Sequence, residues 1–331
     1  MRVLALIAFA LLGSTAPATE TMTYQEYFDS FLLLDEDGKP RASYLSDLGG
    51  SPVGALLALP QKGGKMTCTA THYAPGLVIT AAHCLKTGLP AKDHFVLFYN
   101  KDGVKTAAPV QRFLFRGDHL MDIAVLKISR EVADTWDVGN LEIKKYRKEQ
   151  IASKIPSRET IKAWSYTPLV HFPQYAPENT SRLGMVFTPN DCIASRTIPR
   201  IVAKEKIKGT KKYKTVGELS LKKVGHIDEK IHIFLDDCTR RIVRGNSGSL
   251  ITASNDFTQK IGILHLVVAT KEAVWKELSK LNLNKSLITF FYIGNDDTPK
   301  EVAWSSSEFL IGSGTTLEAL KKRKPRLLPS R

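Results

Sequence analysis

At 331 residues the chain is long enough for about two domains, each burying a sizeable core. Its 43% hydrophobic and 24% charged residues exclude a disordered or low-complexity chain and describe an ordinary globular protein. The formal net charge of +14 favours acidic partners, but no helical reader, RNA-binding signature or aromatic–basic interleaving comes with it. Specific nucleic-acid binding is therefore not expected.

Met1-Arg2, the apolar run Val3 to Leu12 and the small residues Ala16-Pro-Ala18 read as a secretory signal peptide over 1–18, too short to span a bilayer. No later stretch is apolar for long enough to cross a membrane, so the expected product is exported, either secreted or periplasmic. Residues 19–50 form a polar lead-in with a short helical stretch near Tyr24 to Leu34. Asp35-Glu-Asp-Gly38 lacks the later ligands of a calcium loop and reads as a turn.

Residues 51–150 hold a first strand-rich unit and the charged connection that follows it. Val53 to Leu59, Thr67 to His72, Leu77 to Thr80, Phe95 to Tyr99, Val110 to Phe115 and Ile123 to Ile128 are short β-rich runs divided by Gly, Pro and Asn. That pattern indicates an antiparallel sandwich or barrel, an all-β class. A second unit over 151–300 includes Cys192 to Ser195, Ile231 to Leu235, Ser249 to Thr252, Ile261 to Thr270 and Ile288 to Ile293. Lys204 to Lys214 reads as a loop or exposed hairpin. Residues 301–331 read as a C-terminal segment with a helix over Thr315 to Arg323 and the basic run Lys321 to Arg326, which reads either as a solvated, frayed tail or as a patch for an anionic surface.

Three strings carry chemistry. Leu77-Val-Ile-Thr-Ala-Ala-His83-Cys84 sets a histidine just after an apolar strand, and Met121-Asp122-Ile-Ala-Val-Leu126 sets a carboxylate at the start of another. Arg244-Gly-Asn-Ser247-Gly-Ser249 sets a serine between glycines. A free serine hydroxyl is a poor nucleophile. It needs an imidazole to take its proton and a carboxylate to fix the imidazole's tautomer. In an exported protein the four cysteines read as disulfides, with three pairings open; there is no Cys-x-x-Cys pair, so no metal is expected.

These strings, in the order His83, Asp122, Ser247, resemble the trypsin/chymotrypsin-like serine endopeptidases over roughly residues 50 to 300. The Gly245-Asn-Ser-Gly-Ser249 spelling looks more like bacterial glutamyl-endopeptidase-like members. The resemblance implies two six-stranded antiparallel β-barrels with short terminal helices, and His83, Asp122 and Ser247 at their junction. It implies peptide-bond hydrolysis through an acyl-enzyme, an oxyanion hole from the N–H groups of Gly245 and Ser247, protein or peptide substrates and no cofactor. It also pairs Cys68 with Cys84, which leaves Cys192 with Cys238.

Departures from the family pattern are informative. Asn246 stands where digestive members carry an aspartate that pairs with a newly cut N-terminus, so that switch is not expected. Ser249-Leu250 replaces a usual Gly-Pro or Ser-Pro pair. His265, in Gly262-Ile-Leu-His265, occupies or neighbours the place of a serine that helps hold the aspartate; it could bond Asp122, meet an acidic P1 residue, or simply pack. Arg241 falls where the family places the floor of the primary pocket, where a cation would favour Glu or Asp at P1; Leu266 and Val267 continue the strand expected beside substrate, and Val267 could instead narrow the pocket towards small residues. The alternative use of such a fold is non-catalytic binding through a basic, anion-seeking surface. Intact His83, Asp122 and Ser247 argue against it.

Overall fold

A computed structural model describes residues 32–33 and, with short interruptions, 51–129, 159–168, 185–278 and 288–327. The expected signal peptide, the expected turn at Asp35–Gly38 and most of the expected N-terminal helix lie outside the described residues. Leu32–Leu33 of that stretch form a strand, β1, parallel to Val186 and Phe187.

Six strands follow: β2 (Val53–Ala58), β3 (Met66–Ala74), β4 (Leu77–Thr80), β5 (His94–Tyr99), β6 (Lys105–Arg116) and β7 (Ala124–Ile128). They close into a barrel in the order β2-β3-β4-β7-β6-β5, every pairing antiparallel. Alternation explains the burial of β2 on both faces. Leu56 points inward with Val78, Val96, Phe98 and Leu126, while Val53, Ala55 and Leu57 face the other half of the molecule.

The second half contributes β8 (Thr160–Pro168), β9 (Met185–Ser195), β10 (Arg200–Lys206), β11 (Tyr213–Ser220), β12 (His232–Asp236), β13 (Leu250–Thr252), β14 (Lys260–Thr270), β15 (Ile288–Ile293), β16 (Pro299–Glu301) and β17 (Glu308–Thr316). The ring β8-β9-β12-β17-β14-β13 closes through pairing of β9 with β8. A side sheet runs β11-β10-β15-β16. Helix α1 is Lys271–Leu278 and α2 is Leu317–Arg323, the latter capped by the Thr316 hydroxyl, which accepts from the Ala319 N–H.

Two expectations change here. The sequence reading ends the second unit at 300, but the strand between β12 and β14 lies at Glu308–Thr316. Residues 301–331 are thus not merely a tail. Ile288–Ile293 belongs to the side sheet rather than the ring.

Candidate active site

The two barrels meet over an apolar seam. Val53, Leu57, Ile79, Leu97, Ile123 and Val125 from the first pack with Trp164, Tyr166, Phe187, Leu250 and Ile263 from the second. Polar atoms cross the seam at Thr69. Its N–H donates to the Ser247 carbonyl at 2.7 Å, its hydroxyl donates to the Tyr166 carbonyl at 3.2 Å, and the Tyr166 N–H donates back to that hydroxyl at 2.8 Å. Nothing in the sequence marks Thr69 for this work.

His83 sits in a single 3₁₀ turn, Ala82–Cys84, at the end of β4. Asp122 precedes β7, in a loop wound tightly by two backbone N–H groups: Leu120 and Met121 donate to the Asp118 carboxylate at 3.0 and 2.8 Å. A Cβ on Gly117 would lie 1.9 Å from the Met121 carbonyl oxygen, so this loop closes only around glycine. Asp122 grips His83 at two points. Oδ1 accepts the His83 N–H at 2.8 Å, and Oδ2 lies 2.5 Å from the ring Nδ1. Burial pushes the Asp122 carboxyl up, but its hydrogen bond and charge interaction with His83 outweigh this and hold it below the ordinary value. An ionised carboxylate therefore faces Nδ1, which leaves Nε2 as the proton acceptor.

The serine turn is built by conformation and by hydrogen bonds. Gly245 and Gly248 have φ of 101° and 88°. At Gly248 a Cβ would also meet the Thr69 carbonyl oxygen at 1.7 Å. Asn246 is buried; its Oδ1 accepts the Val243 N–H at 2.8 Å and its Nδ2 donates to the Thr167 hydroxyl at 2.5 Å. The Ser249 hydroxyl donates to the Asn246 carbonyl, so the contact of 2.7 Å with Ser165 is one in which Ser165 donates. The departures at positions 246 and 249 thus supply the turn's own internal ties.

The N–H groups of Asn246, Gly248 and Ser249 are committed to the carbonyls of Val243, Leu264 and Asn246. Among the described residues those of Gly245 and Ser247 have no acceptor. One sulfur touches both parts of the site: Cys84 Sγ lies 3.8 Å from His83 Nε2 and 3.9 Å from the Ser247 carbonyl oxygen. Ser247 Oγ makes no hydrogen bond among the described residues, and the His83 ring is 48% exposed. Both expected disulfides, Cys68–Cys84 and Cys192–Cys238, are formed. Cys68, His83 and Cys84 are close enough to hold a metal ion, but the two sulfurs are bonded to each other and cannot serve as thiolate ligands.

Behind Asp122 stand two more imidazoles. His265 Nδ1 lies 3.9 Å from Asp122 Oδ2, and its ring meets that of His232 at 5.0 Å. His232 accepts the Asp228 N–H at Nδ1 and donates from Nε2 to the Leu120 carbonyl, which fixes a neutral tautomer. Burial lowers His265 to about 3 despite the pull of Asp122, so it too is neutral near pH 7. Sequence inspection missed His232, which no motif flags. Of the three readings open to His265, the structure puts it beside Asp122. Arg241 is exposed, unlike a cation buried at a pocket floor. Leu266 and Val267 lie on β14, opposite Gly312 and Ile311, with their side chains outside the described set.

A family model described as Trypsin matches residues 47–272, which takes in every element built above from β2 to the start of α1. The chain belongs to the trypsin family. The trypsin domain is thus a peptidase domain, and its barrels are those of the family. Solved structures similar to it include the Rv3671c protease from M. tuberculosis. The active form shares 16% identity over 72% of this chain and 85% of that one, with a TM-score of 0.35. The inactive form shares 15% identity over 70% and 89%, with a TM-score of 0.32. Comparison with curated proteins found no match.

Proposed function

We propose that the protein is an exported serine endopeptidase working through His83, Asp122 and Ser247. The observation that carries this is the two-point grip of Asp122 on His83, whose Nε2 lies 3.8 Å from a Cys84 sulfur that is itself 3.9 Å from the carbonyl oxygen of Ser247 on its glycine turn. With Nδ1 held by the carboxylate, Nε2 accepts the Ser247 proton as Oγ bonds to the scissile carbonyl carbon. The carbonyl oxygen takes up negative charge and is met by the uncommitted N–H groups of Gly245 and Ser247, each donor of this kind being worth about 2.7–4 kcal/mol of barrier. His83 then returns the proton to the leaving amine as the C–N bond breaks, and water attacks the acyl-enzyme with His83 again as base. The missing contact between Oγ and Nε2 forms as substrate fills the site, as catalytic hydrogen bonds commonly do.

His265 is a positioning residue, holding the far side of the Asp122 carboxylate where the resembled family often has a serine. The substrate strand lies along β14: β13 pairs with it only as far as Ile263, which leaves the edge beside His265, Leu266 and Val267 open among the described residues. Exposure of Arg241 removes the main support for acidic P1 preference. Asn246, satisfied by Val243 and Thr167, holds the turn without an ammonium partner, so activity does not await an internal cut. Two disulfides and the N-terminal apolar run support export.

Fluorophosphonate labelling tests the proposal. The wild-type protein is expected to label and Ser247→Ala not to. Failure of folded wild type to label, with the N-terminal sequence intact, favours the non-catalytic alternative.

A further inference from the structure

The hairpin of β10 and β11 is an arm whose surface chemistry the peptidase reaction does not use. Residues 206–215 are exposed without interruption, and its turn is closed locally by the Ile207 N–H on the Lys212 carbonyl and the Thr210 N–H on the Ile207 carbonyl. Between positions 204 and 214 stand Lys204, Lys206, Lys208, Lys211, Lys212 and Lys214, against a single acid, Glu205. Register decides where that acid acts. Glu205 pairs with Lys214, whereas Lys206 pairs with Tyr213, and successive residues of a strand face opposite sides. The outer part of the arm, residues 206–214, therefore carries five lysines and no carboxylate.

The arm is also apolar beneath its charges. The Tyr213 ring meets Phe291 edge-on at 5.6 Å, and Lys204 Nζ lies 4.7 Å over the Phe291 ring. Ile207 and Tyr213 are the exposed large hydrophobics among the described residues, at 44% and 42%, and they stand on opposite faces of this arm on either side of its turn. Isolated exposed apolar side chains are ordinary, but coincidence of both with a lysine cluster on a projecting turn is not.

We propose that the arm docks on an anionic lipid surface, with Ile207 and Tyr213 entering the interfacial layer and the lysines meeting the headgroups. Tyrosine suits that layer, having an apolar ring and a polar tip, and lysine stems bury their methylenes while keeping the charge in water. A purely electrostatic partner such as duplex nucleic acid would use the lysines and leave Ile207 idle. The two sources of attraction are separable by experiment.

The full-length protein is mixed with sedimenting vesicles of phosphatidylglycerol and phosphatidylcholine, with pure phosphatidylcholine vesicles and with a fluorescent DNA duplex as comparisons. Binding is expected to the anionic vesicles and to weaken with salt. Each lysine near such a surface contributes roughly fivefold, so K208Q/K211Q/K212Q should weaken partition by about a hundredfold. I207S/Y213S, which leaves the charge unchanged, should weaken it by about tenfold or more. Both variants alter only exposed positions, and an unchanged circular dichroism spectrum confirms their fold. The proposal is overturned if anionic vesicles do not bind, if the lysine variant binds as wild type does, or if the apolar variant is unimpaired while DNA binds as tightly as lipid.

Discussion

Acidification should destabilise this protein through histidines buried in the neutral form. His72 is fully buried and lowered to about 4 by burial and by Lys260; His265, lowered by burial to about 3, stands against Asp122. In the unfolded chain each returns to about 6.5. Between these values the unfolded state binds more protons than the folded one, so stability is complete above about pH 6.5 and falls as pH drops towards the folded values. From pH 7 to pH 5 each such histidine costs about 2 kcal/mol, a figure that hardly depends on how far below 5 the folded value lies. The pair thus removes about 4 kcal/mol, a large share of a typical 5–15 kcal/mol total. His94 and His232 are lowered as well, chiefly by burial, and act in the same sense. Guanidinium denaturation at the two pH values measures the loss, and His265→Ser should shrink the difference by about 2 kcal/mol even if it lowers stability at both. Equal stability of the wild type at pH 5 and pH 7 would refute the reasoning. So would an undiminished difference in the serine variant.

Three further outcomes follow from the site. Asp122→Asn should preserve the fold but lower kcat about ten-thousandfold, because the amide favours the wrong tautomer of His83; steady-state rates on a peptide substrate report it. Gly248→Ala should abolish turnover, since the added Cβ would displace the Thr69 carbonyl and with it the Ser247 carbonyl contact; retention of wild-type rates would mean the turn is looser than described. Asn246→Ala removes the acceptor of the Val243 N–H and one of the two partners of the Thr167 hydroxyl, and should cost about 2 kcal/mol in denaturant unfolding together with a fall in kcat.

The candidate catalytic groups were legible because their chemistry demands particular residue types beside strands: a histidine after Leu77–Thr80, an aspartate before Ala124–Ile128, a serine among glycines. The supporting residues were not. Thr69 is an unremarkable threonine until the barrels meet, and His232 gains its role only by reaching the Leu120 carbonyl. Strand β17 was missed for a physical reason. Its Gly312 and Gly314 are poor strand formers, yet a Cβ there would meet Ile242 at 2.4 Å and Ile251 at 2.3 Å. Glycine is dictated by close neighbours that no local pattern reveals. Burial and register, rather than spacing, also decided that His265 backs Asp122 and that Arg241 faces water.

The place of β17 bears on when the protein can act during its synthesis. A ribosome that has finished Ser247 has already made every group proposed for bond cleavage, but the gap between β12 and β14 stays unfilled until Thr316 has emerged. Strand β14, which carries His265 and the open edge for substrate, lacks its long partner over Gly262–Thr270 until then. A chain cut short before Glu308 should therefore leave the second barrel open, with β14 unpaired along most of its length.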